Sequence, residues 1–100
     1  MLEELVLKVV REYKPARSIL HSIIYLKNGV LLKDWTLALT GVYSERLDSM
    51  LDELIQEGSI KVCKDGRLTV DECPRESSDL SGLVDEAVKK FLASHPTKGL

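Results

Sequence analysis

Two histidines and two cysteines are all this sequence offers to imidazole or thiolate ligation, and neither pair is clustered. Cys63 and Cys73 lack the short Cys and His spacings of a zinc site, so neither a metal nor a cofactor is expected. Two reduced thiols are the favoured reading, with a disulfide as the alternative if the source is a hyperthermophile. The C-x-x-C, G-x-G-x-x-G and G-x-x-x-x-G-K-[ST] motifs are all absent, which removes the usual redox, dinucleotide and phosphate-loop chemistries. No apolar run approaches the roughly eighteen residues that span a bilayer. Glu3 and Glu4 give the first segment the wrong sign for a signal peptide, so a cytoplasmic protein with no membrane partner is expected. Basic excess is missing too: fourteen Lys and Arg against sixteen Asp and Glu leave a formal charge of −2. The whole-molecule field therefore does not attract a polyanion, although a local basic patch still can.

What is present is strong hydrophobic periodicity. Leu2, Leu5, Val6, Val9, Val10 and Tyr13 form the stripe of a first helix, which Pro15 ends near Tyr13 or Lys14. Ile19, Leu20, Ile23, Ile24 and Leu26 mark a second helix, closed by Asn28-Gly29. Residues 30–39 suit a strand or an irregular extended segment, and residues 40–43 read as a turn. Ser44 then caps a third helix, with Glu45 and Asp48 in its first turn. Leu47, Met50, Leu51, Leu54 and Ile55 supply the buried face, and Gly58 stops it.

A hairpin follows at once. Residues 59–64 are strand-like, Asp65-Gly66 is a two-residue turn signal, and the chain returns through 67–71. A type I′ turn with positive φ at both residues would set Cys63 opposite Leu68 and Lys61 opposite Val70. Helix followed by a two-stranded ribbon is the distal half of a winged helix-turn-helix. The expected fold is therefore mainly α with a small β-hairpin: a winged helix-turn-helix domain over residues 1–71, a linker over 72–79 containing Pro74, Ser77 and Ser78, an amphipathic helix over 80–94, and a tail over 95–100.

Catalytic candidates are few. His21 falls on the polar side of the second helix and His95 at a helix end, where solvated histidines are expected. Asp48, Asp52 and Glu53 lie away from Leu47, Leu51 and Leu54, which makes them an exposed acidic face instead of a buried acid–base pair. Trp35 and Tyr25 read as packing aromatics. No enzyme activity is expected. The expected function is that of a small DNA-binding transcriptional regulator, which reads bases with Tyr43, Ser44, Arg46 and Ser49 at the start of the third helix, Arg46 contacting guanine. Lys61, Lys64 and Arg67 on the hairpin, with Lys14, Arg17 and Ser18 at the start of the second helix, would face phosphates. Glu45, Asp48, Asp52, Glu53 and Glu57 oppose that reading. The rival is a protein-interaction module without DNA binding. A continuous positive surface from Arg17 through Arg46 to Arg67 favours DNA, and an interrupted one favours a protein partner.

Residues 20–26 (LHSIIYL) and 40–60 (TGVYSERLDSMLDELIQEGSI) resemble the Panacea antitoxin domain and its prokaryotic relatives, a likeness confined to residues 1–62. That family has a helix ending in Tyr-Leu, then a Gly-Pro-Tyr-Ser turn that opens a helix ending in Gly-Leu-Ile. Val42 stands here for the motif proline and Ser59 for the leucine. The resemblance implies a helical, winged-helix-like module used in regulation or in binding another protein. It carries over Gly41, Tyr43 and Ser44 as residues that shape the turn.

The last helix has the cleanest stripe: Leu80, Leu83, Val84, Ala87, Val88, Phe91 and Leu92. Asp85 with Lys89 and Glu86 with Lys90 are spaced for pairs on its outer face. Leaving the stripe in water forgoes about 1.5–3 kcal/mol per large side chain. It is expected to pack on the first helix or, preferably, on its copy in a homodimer through Leu80, Leu83, Val84, Val88, Phe91 and Leu92.

Overall fold

Helix α1 (Leu2–Tyr13) buries Val6, Val9 and Val10 on one face, and a left-handed Lys14 (φ 46°) turns the chain before Pro15. The computed structural model describes residues 1–76 and 79–94, so the expectations for Ser77, Ser78, His95 and the tail lie outside the described residues. Helix α2 (Arg17–Asn28) buries the whole run from Leu20 to Tyr25. A helix buried this far around its axis must be covered on more than one side. α1 covers one side, and helix α4 (Ser81–Ser94) covers another together with strand β2. A short 3₁₀ turn, Gly29–Leu31, follows α2, and strands β1 (Trp35–Ala38) and β2 (Gly41–Ser44) form an antiparallel hairpin with Trp35 opposite Ser44 and Ala38 opposite Gly41. Helix α3 (Glu45–Gln56) and a second hairpin, β3 (Lys61–Val62) with β4 (Leu68–Thr69), complete the fold.

The main core joins α1, α2, α3 and the second hairpin through Val6, Val9, Leu20, Ile24, Leu47, Leu51, Leu54, Ile60 and Leu68, all buried. A smaller cluster of Tyr25, Val42 and Ala87 sits between α2, β2 and α4. Trp35 and Tyr25 pack as expected: their rings meet edge to face at 5.0 Å, and Trp35 Nε1 donates to the Gly29 carbonyl at 2.7 Å.

Several expectations are corrected. Residues 41–44 form a strand, because Val42 and Ser44 turn inward and pairing with β1 satisfies their backbone. The β3–β4 register differs by one residue from that expected, with Lys61 opposite Thr69 and Val62 opposite Leu68. The loop holds three residues: the Gly66 N–H donates to the Cys63 carbonyl and the Cys63 N–H to the Arg67 carbonyl. Only Gly66 takes a positive φ, 90°, and Asp65 Oδ1 accepts the Arg67 N–H at 3.1 Å. This is a turn followed by a glycine bulge, which an Asp-Gly pair suits as well as a type I′ turn. The expected pairs of Asp85 with Lys89 and Glu86 with Lys90 are not among the ion pairs formed.

α4 seats its stripe on α2 and β2 of its own chain instead of on α1. Ala87 is fully buried, Leu83, Val88 and Phe91 pack into the two clusters, Leu80 and Val84 are half-buried, and Leu92 remains 45% exposed. A homodimer built on this face would require α4 to leave that seat.

The cysteines are joined. Cys63 and Cys73 form a disulfide, with Cα atoms 5.8 Å apart. Lys14 bridges Asp71 Oδ1 at 2.9 Å and donates to the Glu72 carbonyl, turning the segment after β4 back beside the hairpin and bringing Cys73 to Cys63. Spacing alone could not reveal that approach. Cys63→Ser with Cys73→Ser is expected to lower stability by roughly 2–3 kcal/mol, the chain-entropy value for so short a loop. Denaturant titration of the double variant checks this, and an unchanged midpoint would show that Lys14 and its partners hold the segment alone.

Ser22 is fully buried, and its Oγ has no hydrogen-bond partner among the described residues. An orphaned buried hydroxyl carries its desolvation penalty without return. Ser22→Ala is therefore expected to stabilise the protein by about 1 kcal/mol, read as a higher denaturant midpoint at unchanged slope. A loss of stability would reveal a partner to the hydroxyl.

Candidate functional site

The start of α2, the end of β2 and the first turns of α3 converge on one polar cluster. Arg17 is its anchor. Its Nε donates to Asp48 Oδ1 at 2.7 Å, and its Nη2 reaches both the Asp48 carbonyl at 2.8 Å and Asp52 Oδ1 at 2.7 Å. Asp48 Oδ1 also lies 3.2 Å from His21 Nε2. The Ser44 N–H donates to His21 Nδ1 at 3.1 Å. A backbone N–H can only donate, so Nδ1 carries a lone pair and Nε2 carries the proton that goes to Asp48. Both ring nitrogens are thus used within the chain. The Tyr43 ring stacks on the imidazole, with centroids 4.8 Å apart and planes 17° from parallel.

His21 is 2% exposed, which corrects the expectation of a solvated residue. The wheel reading assumed that α2 buries one face, whereas α4 and β2 cover the other. Asp48 likewise is not part of an open acidic face: its side chain is three-quarters covered and paired. Burial holds the His21 imidazole below its ordinary pKa, with the Asp48 hydrogen bond opposing it. Burial also raises Asp48, but hydrogen bonds from Arg17 and His21 outweigh it and hold the carboxyl below its ordinary value.

A second knot closes the start of α3. The Ser44 hydroxyl donates to Asp34 Oδ1 at 2.6 Å while accepting the Leu47 N–H at 3.1 Å, and Asp34 Oδ2 accepts the Arg46 N–H at 2.9 Å. Ser44 is the cap the sequence predicts; Asp34 is a cap that it does not announce. A carboxylate thus already occupies the anion-favouring end of α3. Loss of hydration raises the Asp34 carboxyl, and the bonds from Ser44 and Arg46 more than offset that, leaving it below the ordinary range.

The expected DNA-facing residues are therefore scattered in state. Arg17, Tyr43 and Ser44 are drawn into the cluster, and Ser18 joins Arg17, His21, Tyr43 and Asp48 in lining an open cleft of about 420 Å³. Arg67 caps α1, with Nε donating to the Lys14 carbonyl at 2.6 Å and Nη2 to the Tyr13 carbonyl at 3.3 Å. Its Nη1 donates to the Glu76 carbonyl at 2.7 Å. A cation there complements the C-terminal end of a helix. Lys14 is held by Asp71, whose carboxyl Lys14, Thr69 and the Glu72 N–H together lower to about 2. Arg46, Ser49, Lys61 and Lys64 are exposed.

Among the described residues no group of three or more His, Cys, Asp or Glu is placed to hold a metal ion. No described helix is long and apolar enough to cross a membrane. Compared with protein-family models, curated proteins and solved structures, the chain matches none significantly.

Proposed function

We propose that this chain is a non-enzymatic protein-interaction module on a winged helix-turn-helix plan. The order of elements supports the plan: two helices joined by a short extended piece, a third helix, then a hairpin. Ala16, between α1 and α2, forms an antiparallel bridge with Arg67, and the Leu68 N–H donates to the Pro15 carbonyl at 2.8 Å. The hairpin is thereby stitched to the α1–α2 junction as a wing would be. The β1–β2 hairpin is an addition between the second and third helices. The resemblance to the Panacea antitoxin domain agrees with a role in regulation or protein binding.

One observation carries the choice of a protein partner. Arg17, Lys14 and Arg67 are committed to acceptors of their own chain, so the positive surface from Arg17 to Arg67 is interrupted. The exposed side of α3 adds Glu45, Asp52, Glu53 and Glu57. Breaking Arg17 away for a phosphate would leave Asp48 facing that phosphate without its cation.

Titration of random duplex DNA at two salt concentrations tests the reading. Binding weaker than about 10⁻⁴ M is expected, the weak end of non-specific contact. Tighter binding with a log–log salt slope near about −3, equivalent to three phosphates neutralised by Arg46, Lys61 and Lys64, would overturn it in favour of a DNA-binding regulator that uses these residues and Ser49.

A further inference from the structure

Away from the polar cluster, Tyr25, Val30 and Trp35 line a second cleft of about 420 Å³, and the cations on its lining are Lys33 and Lys90. Among the described residues no acidic one lines it, on a chain whose net charge is −2. The Lys90 Nζ lies 5.1 Å from the centre of the Tyr25 ring, and Lys33 is exposed. The one carboxylate beside them in sequence, Asp34, is consumed by Ser44 and Arg46. Strand β1 leads directly out of this cleft. Among the described residues its one strand partner is β2, and no described strand pairs with its other edge, which presents a row of backbone donors and acceptors. Edge strands are usually blunted by a charge, a proline or a bulge, and Trp-Thr-Leu-Ala carries none of these. Large apolar side chains stand in water around the same strand: Leu37 is 48% exposed, Val30 84%, and Leu39 at the hairpin tip entirely.

We propose that β1 and the Trp35 cleft together receive an extended peptide segment of a partner protein, one that sets acidic and apolar residues on the same strand face. The peptide adds a strand to the open edge of β1. Main-chain hydrogen bonds hold it there, and side chains on alternate positions select it. Its apolar residues cover Val30, Trp35 and Leu37, while its carboxylates meet Lys33 and Lys90. The charge of the cleft selects an acidic segment over a basic one. This inference rests on the protein-interaction reading and gives that reading an address.

Trp35 is the chain's single tryptophan and reports directly on the cleft. A short synthetic peptide repeating Glu-Thr-Val-Thr, which puts glutamate and valine on one strand face, is titrated into the full chain while Trp35 emission is followed, with a Lys-Thr-Val-Thr peptide as its counterpart. A saturable blue shift with the glutamate peptide alone is expected. Lys33→Glu with Lys90→Glu should weaken it about tenfold or more, while circular dichroism shows the fold intact. No shift, or equal shifts from both peptides, would overturn the proposal. So would an emission change with protein concentration alone accompanied by a doubled mass, since a second copy would then own the edge. If the peptide fails and duplex DNA also fails to bind, only this address is lost. Tight duplex binding would instead remove the interaction reading itself.

Discussion

Replacing Gly41 with valine is expected to cost about 4 kcal/mol and to lower the melting temperature by about 20 °C. Gly41 takes φ +120°, a conformation that strains any residue with a Cβ by about 1–3 kcal/mol. The added Cβ would also lie 2.9 Å from Val84 Cγ1 and 3.4 Å from Ser22 Oγ. Overpacking of this kind adds about 1–3 kcal/mol. Two independent features thus make the position a glycine: the turn out of the β1–β2 hairpin and the close seat of α4. Gly82 provides the contrast. It lies on the exposed side of α4, and a Cβ there meets no atom of the described residues within 4 Å, so Gly82→Ala should raise stability by roughly 0.5–1 kcal/mol through helix propensity. Thermal melts of both variants check the pair. A Gly41→Val midpoint equal to that of the native protein would mean that α4 does not pack on β2 as described.

His21→Leu is expected to cost about 3 kcal/mol, because it leaves the Ser44 N–H without an acceptor and Asp48 without one of its donors. The loss should also have a pH signature. Burial holds the folded imidazole below its ordinary pKa of 6.5. As pH falls through that value the unfolded chain binds a proton first, so the unfolded state gains and stability declines. Stability of the native protein should therefore drop between about pH 7 and 5.5, and His21→Leu should lack that drop. Asp34, Asp48 and Asp71 are held below their ordinary values, so their contribution is present above about pH 4 and is lost at lower pH. Denaturant titrations at several pH values separate the two windows. A native protein equally stable at pH 7 and 5.5 would show that the folded imidazole takes up its proton as readily as the unfolded one, and a rise in stability would show that it is already charged when folded.

The helices were largely legible because their apolar residues repeat at helical spacing and their ends carry local chemistry. Ser44 caps α3 through its own side chain, and Lys14 turns the chain at Pro15 within a residue of the expected end. What escaped the sequence is what depends on residues brought together from afar. His21 reads as a surface residue because a wheel shows one face, whereas α2 is buried between α1 and α4. The run from Leu20 to Tyr25 hinted at this, since His21 and Ser22 are the only polar residues in it. The Arg17–Asp48 pairing had a weaker signal. Arg17 and His21 stand four residues apart on one helix, and Asp48 and Asp52 stand four apart on another, so each pair forms a matching ridge. Charge spacing within one helix does not say that the two ridges face each other. The strand at residues 41–44 was hidden for a similar reason, as Gly-Val-Tyr-Ser has turn chemistry and becomes a strand only by pairing with Trp35–Ala38.

Nitrogen-15 NMR of the His21 imidazole at neutral pH tests the central claim most directly, namely that the polar cluster around Arg17 is closed upon its own chain. The account predicts a neutral ring protonated at Nε2, with an unprotonated Nδ1 coupled across its hydrogen bond to the Ser44 amide. A charged imidazolium, or a neutral ring protonated at Nδ1, would contradict it, because His21 could then not accept the Ser44 N–H and the cluster would be open to an outside ligand.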